Sequence, residues 1–350
     1  MEFRIDPEER ARFKRCRRQW DFASPHRRNL EPVESADAQL PAALKDALAV
    51  YYYPGTWDWQ PELKQSLVHK ALERSLSGDA LQAGTSLLDC YDAWANTVDD
   101  FAPVKIGHDV QCLVADPREP DRALLTPNGF GVRYACRVDL LAVDSRDEYW
   151  VVSHHIVQDW LDTATVVRDE AAIAACWAWE QDYMGMEIAG TIHNEVRIGG
   201  PLELPTGTTA ETRVAQHEPS GGGRSIPQHQ RAAALASRTG GAHRVDHVAA
   251  GVLHRTRIRR TRDEINAAGA QIAAEALEMT GDPAIYPTPA PHCAVCAFAT
   301  PCLAMFGGSD PHPMLSEQFR ERRADAVPAP RLGQSTWGFG RGAAPPQWSG

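Results

Sequence analysis

A chain of 350 residues with 43% hydrophobic and 23% charged residues has the balance of an ordinary soluble globular protein and is long enough to bury a large core. Its net charge of −10 excludes a generally basic nucleic-acid coat but not a local basic groove, because binding answers to the local field. No apolar run approaches about 18 residues, and the stretch Met1–Pro7 lacks a secretory pattern, so a cytoplasmic protein without a membrane span is expected.

In chain order, Asp6 is placed to cap a first helix, with Pro7 at its first position and Glu9 at the capping-box spacing. That helix is predicted to run to about Trp20, with Cys16 in its third turn. Helical periodicity returns over Leu40–Tyr53 and through Pro61–Ala95. Strands follow: His108–Val114, then Gly131–Val143 and Tyr149–Val157 joined by the turn Asp144-Ser145-Arg146-Asp147. Asp169–Met186 reads as an apolar helix and Ile188–Ile198 as one more strand. A Gly/Pro-rich stretch at about 200–245 reads as a loop insertion. Arg255–Arg262 alternates like a strand. Asp263–Thr280 reads as a helix with Ile265, Ala268, Ile272, Ala276 and Met279 on one face, and Gly269 interrupting it. One domain is expected over 1–306, with its core at about 100–200. From about Gly307 to 350 the chain is rich in Pro, Gly and Arg, and a disordered tail is expected.

Eight cysteines in a chain of this kind do not suggest a disulfide framework. Cys90, Cys112, Cys136 and Cys176 lie in apolar or amphipathic runs and read as buried, inert thiols. Cys293-x2-Cys296-x5-Cys302 is different: three thiolates within ten residues, with Pro301 before the last. Thiolates are soft ligands that suit zinc or iron–sulfur clusters. Three of them leave one position open, for His292 on zinc or for a distant cysteine on a cluster. A set of buried thiols without metal is the third reading.

The run Phe13-Lys14-Arg15-Cys16-Arg17-Arg18-Gln19-Trp20 resembles the N-terminal cysteine motif of iron–sulfur RecB-family nucleases. That group includes AddB-type helicase–nuclease subunits and CRISPR-associated RecB-like exonucleases. The resemblance covers roughly residues 10–306. It implies that Cys16 joins Cys293, Cys296 and Cys302 around a 4Fe-4S cluster, with zinc as the alternative, in a motif spanning 293–302. The fold it implies is α/β: a PD-(D/E)XK restriction-endonuclease-like core, a mixed sheet flanked by helices, with a helical N-terminal part and the cluster joining both ends.

The same resemblance locates an active site and shows what has changed there. Asp139, in Arg137-Val138-Asp139-Leu140-Leu141, stands where the family has its metal-binding Asp. In Tyr149–His155, Ser153 stands at the second carboxylate position and His155 at the lysine position. Lys45 stands where an upstream histidine often sits, and Ala172 and Cys176 replace a Gln and a Tyr. Magnesium needs several hard oxygen ligands, so the loss implies a catalytically inactive fold that binds nucleic acid or serves as a scaffold. Two alternatives stay open. One is an active exonuclease using Mg or Mn, or a softer metal on Asp139, His154 and His155 with Asp144 or Glu148 nearby. The other is an assembly factor that binds a protein partner without nucleic acid. Arg255, Arg257 and Arg259 share one strand face and, with the arginines around Cys16, would form a DNA-binding groove; the alternative is an ion-paired surface. Trp57, Trp59, Trp177 and Trp179 are candidates for base stacking, with a core role expected for the last two.

Overall fold

A computed structural model describes residues 2–33, 39–199 and 245–322. The 200–245 insertion, apart from its last residue, and the chain after 322 lie outside these. In order come β1 (Phe3–Ile5), α1 (Pro7–Arg15), α2 (Arg17–Ala23), β2 (Leu30–Pro32), α3 (Gln39–Tyr51), α4 (Pro61–Glu73) and α5 (Gly78–Val98). The strands β3 (Phe101–Leu113), β4 (Ala115–Asp116), β5 (Glu119–Ala123), β6 (Val132–Asp144) and β7 (Tyr149–Val157) follow. Then come α6 (Thr163–Val167), α7 (Glu170–Asp182), β8 (Ile188–Arg197), β9 (Val245–Ala250), β10 (Leu253–Arg259) and α8 (Arg262–Thr280). The last described elements are α9 (Ala299–Phe306), α10 (His312–Gln318) and β11 (Phe319–Glu321).

The first helix starts as its sequence dictates: Asp6 Oδ1 accepts the Glu9 amide at 2.7 Å, with Pro7 behind it. It does not run on to Trp20. Cys16 takes an extended conformation, φ −162° and ψ 115°, and separates α1 from α2. The helical spacing of this region cannot foretell the break, because the partner that uses it is distant. The Arg18 amide, in the first turn of α2 and without an intrahelical acceptor, donates to the Tyr286 carbonyl at 3.1 Å.

A seven-stranded mixed sheet carries the fold. The long strand β6 pairs antiparallel with β3 along one edge, from Phe101 opposite Asp144 to Leu113 opposite Arg133. Its other edge takes β1 in parallel at Val132–Tyr134 and β7 antiparallel at Leu140–Val143. β8 lies parallel to β7, reached through α6 and α7, as a parallel neighbour requires. β10 is antiparallel to β8, and β9 to β10. One face is covered by α3, α4 and α5, which bury Leu44, Leu48, Leu72, Leu88 and Trp94 in one cluster with Leu140, Ala142, Val152 and Ile192 of the sheet. The other packs Phe13, Trp20, Trp179, Ile265, Ile272 and Ala276 against Val138, Leu141 and Val151.

A third, small core joins the two ends of the described chain: Phe22 and Ala23 with Phe298, Leu315 and Phe319. Beside it β11 pairs antiparallel with β2, Phe319 opposite Pro32 and Glu321 opposite Leu30. The tail expected to be disordered from 307 is therefore folded as far as residue 322. Leu315 and Phe319 supply apolar anchors that its overall composition conceals. No helix among the described residues is long and apolar enough to cross a membrane.

Candidate functional site

Two places gather side chains capable of chemistry. The first is a cavity of about 300 Å³ between α2 and the C-terminal segment, lined by Cys16, Cys293, Cys296 and Cys302 together with Phe22, Pro287, Pro289, His292 and Phe298. The break before α2 turns Cys16 inward, where it is 8% exposed. The turn Pro291–Val295 carries Cys293, which is exposed, Cys296 follows as its C-cap, and helix α9 carries Cys302.

Three of the four sulfurs accept hydrogen bonds. The Thr288 amide donates to Cys16 Sγ at 3.4 Å and the Arg18 guanidinium to Cys302 Sγ at 3.8 Å. The Phe298 amide donates to Cys296, whose thiol is nevertheless pushed up, by burial first and also by the nearness of Cys16, Cys293 and Cys302. N–H donors aimed at sulfur favour its anionic, metal-ligating form. No three of these sulfurs lie mutually within 4.8 Å. A single tetrahedral zinc, with Zn–S bonds of about 2.3 Å, would hold them about 3.8 Å apart; a multi-iron core is wider. Four soft sulfur donors are chemistry that zinc and iron–sulfur clusters share. His292 Nε2, also at this cavity, is buried without a hydrogen-bond partner.

The remaining cysteines behave as expected of inert thiols. Cys90, Cys112, Cys136 and Cys176 are buried, and burial pushes Cys112, Cys136 and Cys176 each up to about 12.

The second place lies where β6, β7 and β8 run side by side. Asp139 Oδ2 accepts the His154 amide at 3.0 Å and faces Lys45 Nζ at 3.6 Å. Alternation along β7 sends its two histidines to opposite faces. His154 is buried among Tyr52, Tyr91 and Asn194, its ring stacked on Tyr52 at 5.5 Å. Burial holds it down to about 4. His155 points the other way, with Nε2 at 3.2 Å from His193 Nδ1 of β8. Burial lowers His155 and takes His193 down to about 3. Asp169, the N-cap of α7, brings Oδ2 to 3.9 Å from His193 Nδ1. Glu195, opposite His155 in the register, is engaged elsewhere: Oε1 meets His254 Nδ1 at 3.0 Å and Oε2 accepts the Leu161 amide at 2.7 Å.

Several expected groupings do not form. His154 faces away from His155, so Asp139, His154 and His155 make no common ligand set. Asp144 and Glu148 sit at the β6–β7 turn, the far end of β7 from His155 and about 20 Å away along the strand. Asp144 there accepts the Arg146 and Glu148 amides, the Trp150 indole and the Arg257 guanidinium.

The arginines of β10 do not form an open phosphate-binding face. Arg255 is 5% exposed, ion-paired with Asp99 at 2.7 Å and bonded to Asn194. Arg257 bridges Asp100 and Asp144, each at 2.6 Å, over the Trp150 ring, and Arg259 pairs with Glu148. Around Cys16, Arg10 pairs with Glu275, Arg12 with Glu8, Arg17 with Glu278, and Arg27 and Arg28 with Asp21. Among the tryptophans, Trp179 is core and Trp57 stacks on Tyr52, while Trp59 is exposed.

Compared with known proteins, the chain matches no family model and no curated sequence. His193 and Asp169 escaped the sequence reading. The signal for His193 was the run of polar residues Thr191, His193, Asn194 and Glu195 inside an otherwise apolar strand.

Proposed function

We infer that this chain is a RecB-like nuclease-fold protein that has lost nuclease activity, carries a 4Fe-4S cluster on Cys16, Cys293, Cys296 and Cys302, and works as a scaffold for a protein partner. The observation that carries the reading is that four cysteines, from opposite ends of the described chain, line one cavity with N–H donors turned toward three of them. When bound, the cluster would supply a crosslink between the chain's two ends, coupling metal binding to folding. The element order of three antiparallel strands, a helix and a strand parallel to the third supports a PD-(D/E)XK-type core.

The inactive reading rests on the sheet site. Asp139 is met by an amide and an ammonium, Ser153 brings no carboxylate, and His155 is turned toward His193. Among the described residues Asp139 belongs to no group of three potential metal ligands, and magnesium needs several hard oxygens. A scaffold is favoured over a DNA-binding role because the β10 arginines and most of those around Cys16 are met by carboxylates.

Anaerobically purified full-length protein should be brown, with broad visible absorbance and about four irons per chain. It should cleave no DNA with Mg²⁺ or Mn²⁺ and should bind duplex DNA no better than its Asp139→Ala variant. Colourless protein carrying stoichiometric zinc overturns the cluster. Metal-dependent cleavage that Asp139→Ala abolishes overturns the inactive reading. Tight, salt-dependent DNA binding overturns the scaffold role.

A further inference from the structure

Three side chains from separate elements converge beside β7 and β8. His155 Nε2 lies 3.2 Å from His193 Nδ1, Asp169 Oδ2 lies 3.9 Å from that same nitrogen, and each of the three residues offers a ligand atom within 4.8 Å of the others'. We propose that His155, His193 and Asp169 hold one divalent transition-metal ion.

The imidazole spacing suits a shared ion, and the Asp169 oxygen at 3.9 Å would close in by about half an ångström to join it. Metal–nitrogen bonds of about 2.0–2.1 Å put adjacent ligand atoms about 3.0 Å apart in an octahedron and about 3.4 Å apart in a tetrahedron. The imidazole pair at 3.2 Å falls between these values. A simple imidazole–imidazole hydrogen bond accounts for that distance alone. It gives no reason for a carboxylate oxygen beside the same Nδ1. Asp169 divides its two oxygens: Oδ1 accepts the amides of Ala171 and Ala172 at the start of α7, and Oδ2 is turned to the histidine.

The far side of His193 is also fixed. Its Nε2 lies 3.1 Å from Thr191 Oγ1, the kind of outer contact that orients a ligating imidazole. Arg260 stands behind this contact, with its guanidinium donating to the carbonyls of Val166 and Val167. Charges of both signs surround the pair: Asp169, Asp139 and Glu195 against Lys45 at His155, and the Arg260 guanidinium at His193.

Two imidazoles and one carboxylate select zinc, cobalt(II) or iron(II) over magnesium. Asp169 is 27% exposed and His155 half-buried, so solvent reaches the site and water can complete the coordination. The proposal is independent of the cysteine cluster and of the nuclease-fold reading. It uses His193 and Asp169, which the nuclease pattern does not include.

The test is titration of the full chain with Co²⁺, after dialysis against a chelator, followed by visible spectroscopy, with Zn²⁺ calorimetry alongside. One equivalent of Co²⁺ should bind with weak visible bands and no sulfur-to-metal charge-transfer band in the near ultraviolet. His155→Gln should abolish that uptake. Asp169→Asn, which keeps an oxygen for the helix cap, should weaken it at least about tenfold with an unchanged circular dichroism spectrum. Uptake unaltered in both variants, or bound Co²⁺ showing only thiolate bands, overturns the proposal. Should the His155 variant fail to fold, the Asp169→Asn result decides alone.

Discussion

The backbone amide of Thr288 donates to Cys16 Sγ at 3.4 Å, across 272 residues of chain. That contact sets the first prediction. In the chain-entropy account, a link closing a loop of this length stabilises the folded state by about 5 kcal/mol. Cys16→Ser should remove the visible chromophore and lower the thermal midpoint sharply, measured by absorbance and calorimetry on one sample. A variant with full colour and wild-type stability would exclude Cys16 from the ligand set.

Arg257 should matter for folding and not for DNA. It sits between Asp100 and Asp144 with its guanidinium 3.9 Å from the centre of the Trp150 ring. The Asp144 side chain is only 3% exposed. Arg257→Ala removes the guanidinium from that carboxylate, which keeps its two amides and the Trp150 indole, and should cost about 2 kcal/mol in urea unfolding. Retention on a DNA column should not change; a clear drop in retention with normal stability would restore the phosphate-binding role.

His154 makes stability depend on pH. Burial lowers its folded value from 6.5 to about 4. Below 6.5 the unfolded chain takes up a proton that the folded protein refuses, so stability falls as pH drops from 6.5 toward 4. The loss reaches about 3 kcal/mol at the bottom of that window. His193, down to about 3, adds a slope of the same sign. His154→Gln should flatten the dependence by one proton in unfolding experiments at successive pH values. An unchanged slope would mean that His154 is protonated in the fold.

Gly269 in α8 should resist replacement. Alanine would ordinarily gain a helix about 1 kcal/mol at such a position. Here an added Cβ would lie 2.2 Å from Trp177 Nε1, so the indole that packs across the helix must move. The steric cost should exceed the propensity gain, and Gly269→Ala should lose about 1–3 kcal/mol. A stabilised variant would show that Trp177 yields freely.

Much of the frame was legible because it follows local periodicity. β7 occupies the predicted Tyr149–Val157, and α3 and α8 begin and end within two residues of their predicted bounds. What sequence could not show depends on distant partners. The 61–95 helix divides around Ser77 and Gly78, where Gly78 takes φ +56°; that Ser-Gly pair was the available sign. The break at Cys16 and the folding of Leu315 and Phe319 each need a surface from the other end of the chain. The alternation of Arg255, Arg257 and Arg259 was read correctly as a strand, but alternation carries no information about Asp99, Asp100, Asp144 and Glu148, which neutralise it. His193 and Asp169 meet only because β8 lies parallel to β7 with α7 between them.

The cluster of Phe22 with Phe298, Leu315 and Phe319 has a consequence for synthesis. A nascent chain emerging from the ribosome can assemble the central sheet early, yet Phe22 lacks its ring partner Phe298, and that ring lacks Phe319, until the C-terminal segment has cleared the exit tunnel. During that interval an aromatic surface is open to chaperones and proteases. Shortening the chain ahead of Leu315 should make this exposure permanent rather than transient.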